Sequence, residues 1–299
     1  MPKLITLFSA PKPFTHPHIN LIQRNAIQSW LHLGDEVEVF LVGEEAGLAE
    51  VAKEYGIIQL PAVKRNDQGT PLVSSIFELA REASRAQLLA YVNGDIILLP
   101  DLVETARSVI TQCERFLAVS QRWDLEVKNP LDFSAGWEQR LTLEVSRWGR
   151  LHPPAGSDVF LFPRAEFVKI PDFAIGRAGW DNWMIYHACQ QGITVIDATP
   201  SVTVIHQDHD YSHLPGGKPH YDLEESDHNL SLGGGMRSMY YILDSHFQFK
   251  EGRLKRPPLT LLRILRKIEL WLLPPEEQRH GWRWWLARRF RRARRFRME

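Results

Sequence analysis

The chain has 299 residues, 44% of them hydrophobic, enough to bury the core of one large domain or two smaller ones. Its two cysteines, Cys113 and Cys189, exclude a disulfide framework and a multi-cysteine zinc site, and they suit a reducing compartment. The net charge of zero hides an asymmetry: from Arg253 onward the basic excess is about 11, and the first 252 residues carry an equal acidic excess, so body and tail are expected to have separate functions.

The opening MPKLITLFSAPKPF is too short in its apolar part for a secretory signal and lacks a small-residue cleavage site. It reads as a first strand over 4–9, ending in a Pro-rich loop. HINLIQRNAIQSWLHLG follows with helical spacing, Ile19, Ile22, Ala26, Ile27 and Trp30 sharing one face. EVEVFLVG is a strand, GLAEVAKEYG a short helix stopped by Gly56, and IIQLPAV a third strand. TPLVSSIFELAREASRAQ is a helix, LLAYV a fourth strand, PDLVETARSVITQCE a helix and FLAVSQRW a fifth strand. This alternation predicts an α/β domain, a mixed or parallel Rossmann-like sheet with helices on both faces. Beyond residue 124 the alternation lapses into a polar stretch rich in Trp and Pro, as in an insertion that shapes a pocket. DVFLFP then reads as a strand, AGWDNWMIYHACQQG as a helix, and ITVIDATPSVTVIHQDHD as one or two strands ending in histidines.

In LLAYVNGDIILLP a carboxylate, Asp95, interrupts the most strand-like run of the chain. Asn93-Gly94 is a hairpin signal, and Asp95 could simply flank that turn. A hairpin would strand IILL outside the helix-flanked alternation, however. Ligands of open α/β sheets bind beyond the carboxyl ends of strands, where Asp95 would lie. A carboxylate there suits Mg²⁺ or Mn²⁺, which take oxygen ligands and bridge to phosphates. His206 follows the apolar run VTVI in the same kind of setting and completes a sensible divalent-metal pair. For the other members of VIHQDHDYSH, including His209, Asp210 and His213, a polar loop with backbone-bonded histidines is the simpler reading.

In GRAGWDNWMIYHA, Asp181 stands between Trp180 and Trp183 at a helix start, where it serves as an N-terminal cap or as a general base. A carboxylate against aromatic rings has a raised pKa, as a base requires, and flat rings suit the apolar face of a sugar. Asn182 belongs to the same candidate acceptor surface. Arg177 is placed to meet a diphosphate or a surface carboxylate. Ser157 and Asp158 in GSDVFLFPR face substrate or form an ordinary turn. In RNDQGTP, Arg65 and Asn66 lead into a helix where a nucleotide could sit, and Ser9 ends the first strand on that donor side. No G-x-G-x-x-G or phosphate-loop sequence occurs.

The order of these elements resembles glycosyltransferases of the GT-A fold, and more specifically the nucleotide-diphospho-sugar transferase-like proteins that carry GSD, GWDNW and HxxHDY stretches together. The resemblance covers roughly residues 1–250. It implies that YVNGDIIL occupies the place of the acidic, diphosphate-binding motif, with Asp95 as its last carboxylate and Asn93 where the first would stand. It implies Asp181 as the catalytic base, His206 as a second metal ligand, and Mn²⁺ or Mg²⁺ as cofactor. The activity implied is inverting transfer of a sugar from a UDP- or GDP-linked donor to a carbohydrate or lipid-linked hydroxyl. The alternatives are a sugar-phosphate nucleotidyltransferase, which would carry a Gly-rich loop after the first strand where FSAPKPF has no glycine, and a non-catalytic binding or scaffold protein on the same fold.

The expected organisation is a catalytic domain over 1–252, with a nucleotide half 1–124 and an acceptor half 125–252, followed by a basic helical tail over 253–299. In the tail, LTLLRILRKIELWLL aligns Leu261, Ile264, Leu265, Ile268 and Leu272, but charges at Arg263, Arg266, Lys267 and Glu269 keep it short of a spanning helix. WRWWLARRFRRARRF aligns Trp282, Trp285, Leu286, Phe290, Ala293 and Phe296, with Arg289 and Arg297 intruding. Two basic amphipathic helices joined at Pro274-Pro275 fit an anionic membrane surface bound through residues 259–297. Core packing of the first helix is the rival. The clustered tryptophans favour lipid over nucleic acid, which is not an expected partner. The expected location is cytoplasmic and peripheral, at the inner face of a membrane.

Overall fold

The computed structural model describes residues 3–209, 223–273 and 280–296, with side chains through Arg294. In chain order the first part contains β1 (Ile5–Ser9), α1 (Pro17–Leu31), β2 (Val37–Val42), α2 (Leu48–Tyr55), β3 (Ile58–Leu60), α3 (Val73–Ala83), β4 (Leu88–Val92), β5 (Ile96–Leu98) and α4 (Asp101–Ile110). Then come β6 (Phe116–Val119), β7 (Arg122–Leu125), α5 (Trp137–Trp148), β8 (Arg150–Leu151), β9 (Val159–Pro163), α6 (Trp180–Gln190), β10 (Thr194–Asp197) and β11 (Val204–Gln207). The last elements are α7 (Glu224–Leu232), β12 (Phe247–Lys250), β13 (Arg253–Lys255), α8 (Leu261–Leu272) and α9 (Trp282–Phe296).

The principal sheet has the order β13-β12-β10-β6-β9-β4-β1-β2-β3. β3, β2, β1 and β4 run parallel, as the alternation of short strands and helices predicts, and β9 enters antiparallel between β4 and β6. Successive residues of each strand feed opposite faces. Leu7 and Ala90 join α1, α2 and α4 in one buried cluster, while Phe8 and Tyr91 join α3 and α6 in the other. Helices therefore cover both faces, and the expected mixed α/β class is what the chain forms. α2 ends where expected, at Gly56 in a left-handed conformation (φ 66°).

A second sheet, β5-β11-β7-β8, has no counterpart in the sequence reading. FLAVSQRW is two strands rather than one: β6 lies in the principal sheet and β7 in the second. IILL is a real strand too. The Asn93-Gly94 turn joins β4 to β5 across the two sheets, so it is neither a hairpin nor the end of a lone strand. Burial hides this division from pattern analysis, because Ile96, Ile97 and Leu98 are all buried and show no alternation.

The tail departs most from expectation. β13 pairs with β12, so residues 253–255 complete the sheet and the helical part begins at Leu261. No described helix is long and apolar enough to cross a membrane. α8 docks with its charged side inward. Arg266 (2% exposed) pairs with Asp244 at 3.0 Å and lies over the Tyr241 ring, and Arg263 donates to the carbonyl of Leu243 and the hydroxyl of Ser245. Glu269 (1% exposed) receives Arg266, Arg291 and Arg294, which fastens α9 to α8. Arg291 and Arg294 thus turn inward, against the expected partition of the second helix. Pro274-Pro275, Arg297 and the side chain of Phe296 lie outside the described residues. Truncating Glu269 to alanine would leave three guanidinium groups without their shared counter-ion. We expect a loss of about 3–5 kcal/mol by thermal melting and early proteolytic release of α9.

Candidate active site at the edge between the two sheets

Asp95 follows the carboxyl end of β4, and the second sheet brings its partners. In the register of β11, His206 sits opposite Ile96 on one side and Asp124 on the other. Gln207 locks this placement. Its side chain donates to the carbonyls of Ile22 (2.7 Å) and Asp95 (3.1 Å) and accepts from Asn25 (3.0 Å), all in the interior. Replacing Gln207 with leucine would strip these buried groups of their partners, and a destabilisation of about 2–3 kcal/mol is expected in chemical denaturation. Gly94 packs tightly on the other side: a Cβ there would lie 3.0 Å from Gln23 Oε1 and 3.3 Å from the Cα of Pro11. Gln23 in turn exchanges hydrogen bonds with the backbone of Lys12, which holds the β1–α1 loop against Asp95.

The cluster is compact. His209 Nε2 lies 3.0 Å from Asp95 Oδ2, and His206 Nε2 and Lys12 Nζ each lie 4.0 Å from it. Asp95 Oδ1 is buried and has no hydrogen-bond partner among the described residues. Ligand atoms of Asp95, His206 and His209 all fall within 4.8 Å of one another, as do those of Asp124, His206 and Asp208. Burial opposes the ionised form of Asp95, but the His209 hydrogen bond and the charges of His206 and Lys12 outweigh it and hold the carboxyl well below its usual range. For His206 burial acts downward, yet Asp124, Asp208 and Asp95 push it up to about 9. Burial lowers the ammonium of Lys12, with Asp95 acting against it. A carboxylate oxygen without a partner beside two imidazoles is a donor set that fits a divalent cation.

Next to this cluster a second network surrounds Asp158. Asn93 Nδ2 donates to Asp158 Oδ1 at 2.6 Å, Arg122 donates to Oδ2 at 2.9 Å, and the Tyr91 hydroxyl donates to Asn93 Oδ1 at 3.0 Å. Arg122 also binds Asp124, which holds His152 at 2.7 Å. The amide at position 93 is therefore chosen by Asp158. A carboxylate at 93 would meet another carboxylate in place of a donor. Asn93→Asp is expected to lower the melting temperature at neutral pH and to recover part of the loss in acid, where one of the pair takes up a proton.

Asp181 lies in the first turn of α6. It is not the cap, which is Gly179 in a left-handed conformation (φ 107°). Burial pushes the Asp181 carboxyl up to about 6, against backbone hydrogen bonds that lower it and with the charge of Asp158 adding to the rise. A Cβ on Gly156 would come within 2.6 Å of Asp181 Oδ2, so the GSD turn passes close over this carboxylate and a side chain there would displace it.

Several sequence-predicted site residues have other duties. Trp180 and Trp183 are buried, the first among Tyr91, Phe77 and Phe160 and the second between Phe173 and His187, so they build core and present no face to a sugar. Asn182 is buried and donates to the carbonyls of Ala155 and Tyr240. Ser157 is spent on backbone carbonyls of Ser120 and Val159, and Ser9 is fully enclosed. Arg65 is paired with Glu44 and Glu45. Asn66 and Arg177 both bind Glu225, so neither arginine presents a free charge to a diphosphate. The expectation that His209 bonds to backbone is corrected by its contact with Asp95. Asp210 and His213 lie outside the described residues. Lys12, Arg122, Asp124, His152 and Asp208 were missed. Only Asp208 and His209 carried a signal, their closeness to His206; the others arrive through the second sheet and the first loop.

No family model matches the chain, and no curated protein does. Solved structures to which it is similar include glucosyl-3-phosphoglycerate synthase from Mycobacterium tuberculosis, in complex with Mn²⁺, UDP-glucose and phosphoglyceric acid. That protein is 16% identical, with 87% of this chain and 88% of that chain covered and a TM-score of 0.47. A second is TarS of S. aureus in complex with UDP-GlcNAc, 10% identical over 78% of this chain and 71% of that one, with a TM-score of 0.46. The fold and site above stand on this chain's own residues.

Proposed function

We propose that the chain is a glycosyltransferase that moves a sugar from a nucleoside-diphosphate donor to an acceptor hydroxyl, with inversion at the anomeric carbon. The observation that supports this most is the grouping of Asp95, His206 and His209 at the carboxyl edge of β4, with Asp95 Oδ1 left without a partner among the described residues. These three side chains would hold Mn²⁺ or Mg²⁺. Such an ion supplies charge neutralisation for the departing nucleoside diphosphate.

The remaining work falls to the protein's own groups. Lys12, drawn toward Asp95 by the β1–α1 loop, adds a positive charge where the diphosphate would lie. Arg122 and Asn93 fix the orientation of Asp158, whose charge reaches Asp181. Asp181 accepts the proton of the acceptor hydroxyl as that oxygen attacks the anomeric carbon, and its raised pKa places it near the working range of a general base. The amide at 93, which stands where the resemblance would place a carboxylate, has a structural reason in its bond to Asp158. The proposed location is the inner face of a membrane, where a lipid-carried acceptor would be met.

Calorimetric titration with UDP and GDP, with and without Mn²⁺, tests this reading. Binding of one nucleotide that requires Mn²⁺ is the expected result. A folded protein that binds neither under either condition would overturn it.

A further inference from the structure

The inward arginines of α8 share its buried side with Leu272, which packs with Leu273 against Ala287 of α9, and part of the apolar surface of α8 is left facing outward. Leu261, Ile264 and Trp271 (71% exposed) lie on that outward surface, preceded by the exposed Leu259. α9 adds Trp282 (67% exposed) and Trp285 (55% exposed). Arg283 donates to the carbonyl of Trp271 at 2.8 Å and lies 6.0 Å from its ring centroid, so the end of α8 adjoins the start of α9. Among these residues stand the exposed Lys267, Arg288, Arg289 and Arg292, with Arg289 over the Trp285 ring at 4.8 Å. The single acidic residue described on either helix, Glu269, is buried.

Packing charges inward is costly, since each must leave water, and an amphipathic helix ordinarily buries its apolar stripe instead. Here the buried arginine–carboxylate lattice, together with a small apolar contact of Leu272 and Leu273 with Ala287, sets the orientation of both helices. Several large apolar side chains are kept outward and stand among positive charges, with no exposed acidic residue on either helix among the described residues. Tryptophan and arginine on one surface suit the boundary of an anionic bilayer, where the ring enters the headgroup layer and the guanidinium meets phosphate. Single-stranded nucleic acid would use the tryptophans and arginines but has no use for Leu259, Leu261 and Ile264. A second protein chain would be expected to meet fewer charges at the centre of its patch.

We infer that the outward faces of α8 and α9 form a docking surface for an anionic lipid bilayer. The surface stands apart from the transfer reaction: it uses none of the residues around Asp95 or Asp181.

The test is flotation of the full chain with vesicles of phosphatidylcholine alone or with about 30% phosphatidylglycerol. Partitioning at least about tenfold stronger on the anionic vesicles, weakened by about 0.5 M NaCl, is expected. Tryptophan emission should shift to the blue and be quenched by brominated lipid. A variant carrying Trp271→Ser, Trp282→Ser and Trp285→Ser, all at exposed positions, should lose about tenfold or more in partitioning with its melting temperature unchanged. Asp95→Ala should float like the parent protein, which separates this inference from the proposed reaction. Equal partitioning on both vesicles, an unaffected triple variant, or unquenched tryptophans would overturn it. So would absent vesicle binding together with a single-stranded DNA complex, or a self-associated dimer, that the triple variant loses.

Discussion

Asp95→Ala abolishes Mn²⁺-dependent nucleotide binding: the expected dissociation constant rises by about 100-fold or more, on the order of 3 kcal/mol. Asp95 is the one carboxylate of its group, with Oδ1 buried and without a partner among the described residues and Oδ2 shared among His209, His206 and Lys12. Removing it takes away the one anionic ligand of the group and leaves two imidazoles beside the Lys12 ammonium, a much weaker set for a divalent cation. The backbone at this position is held by Gln207 and by the tight approach of Gly94 to the first loop, so the local fold does not depend on the carboxylate. Asp95→Asn, nearly isosteric, should show the same loss of binding with less effect on stability. Calorimetry with Mn²⁺ and the nucleotide that binds the parent protein decides the matter. Parent-like affinity in both variants would move the donor site elsewhere.

Asp181→Asn should lower kcat by about 10²–10⁴-fold while nucleotide binding stays as in the parent protein. An amide retains the shape and cannot take a proton. The pH dependence carries a sharper signature. With the Asp181 carboxyl raised to about 6 by burial, the parent rate should climb through that pH as the base ionises, and the variant should lose this limb. The sign for stability is opposite. The unfolded carboxyl ionises near 4 and the folded one near 6, so the folded state holds more protons in between. Stability therefore falls as pH rises from about 4 to about 6, and Asp181→Asn should remove that slope and melt no lower than the parent at neutral pH. A variant with full activity would eliminate Asp181 as the base.

Asp95 and His206 were both legible because each follows an apolar strand that a lone polar group interrupts. Their meeting was less so, since it depends on β5 and β11 pairing residues as far apart in the chain as Ile96 and His206, in a sheet whose buried strand β5 has no alternating pattern. The aromatic wall expected beside Asp181 shows the same limit from the other side. Spacing places Trp180 and Trp183 on α6 but does not say which helix face the sheet claims, and the sheet claims theirs. Asn93 looked like a defect in a metal motif. Its reason, Asp158, stands 65 positions away.

By itself the sequence determined the alternating β/α frame, the placement of a carboxylate and an imidazole at strand ends, and the charge division between body and tail. These are local properties: backbone period, capping residues and composition act over a turn or a strand. Tertiary structure decided which carboxylates ionise easily, which arginines remain available, and which face of α8 meets water. Those outcomes depend on burial and on partners far apart in sequence. Asp244 and Glu269 turn the charged side of α8 inward, and no periodicity in α8 records that Asp244 waits there.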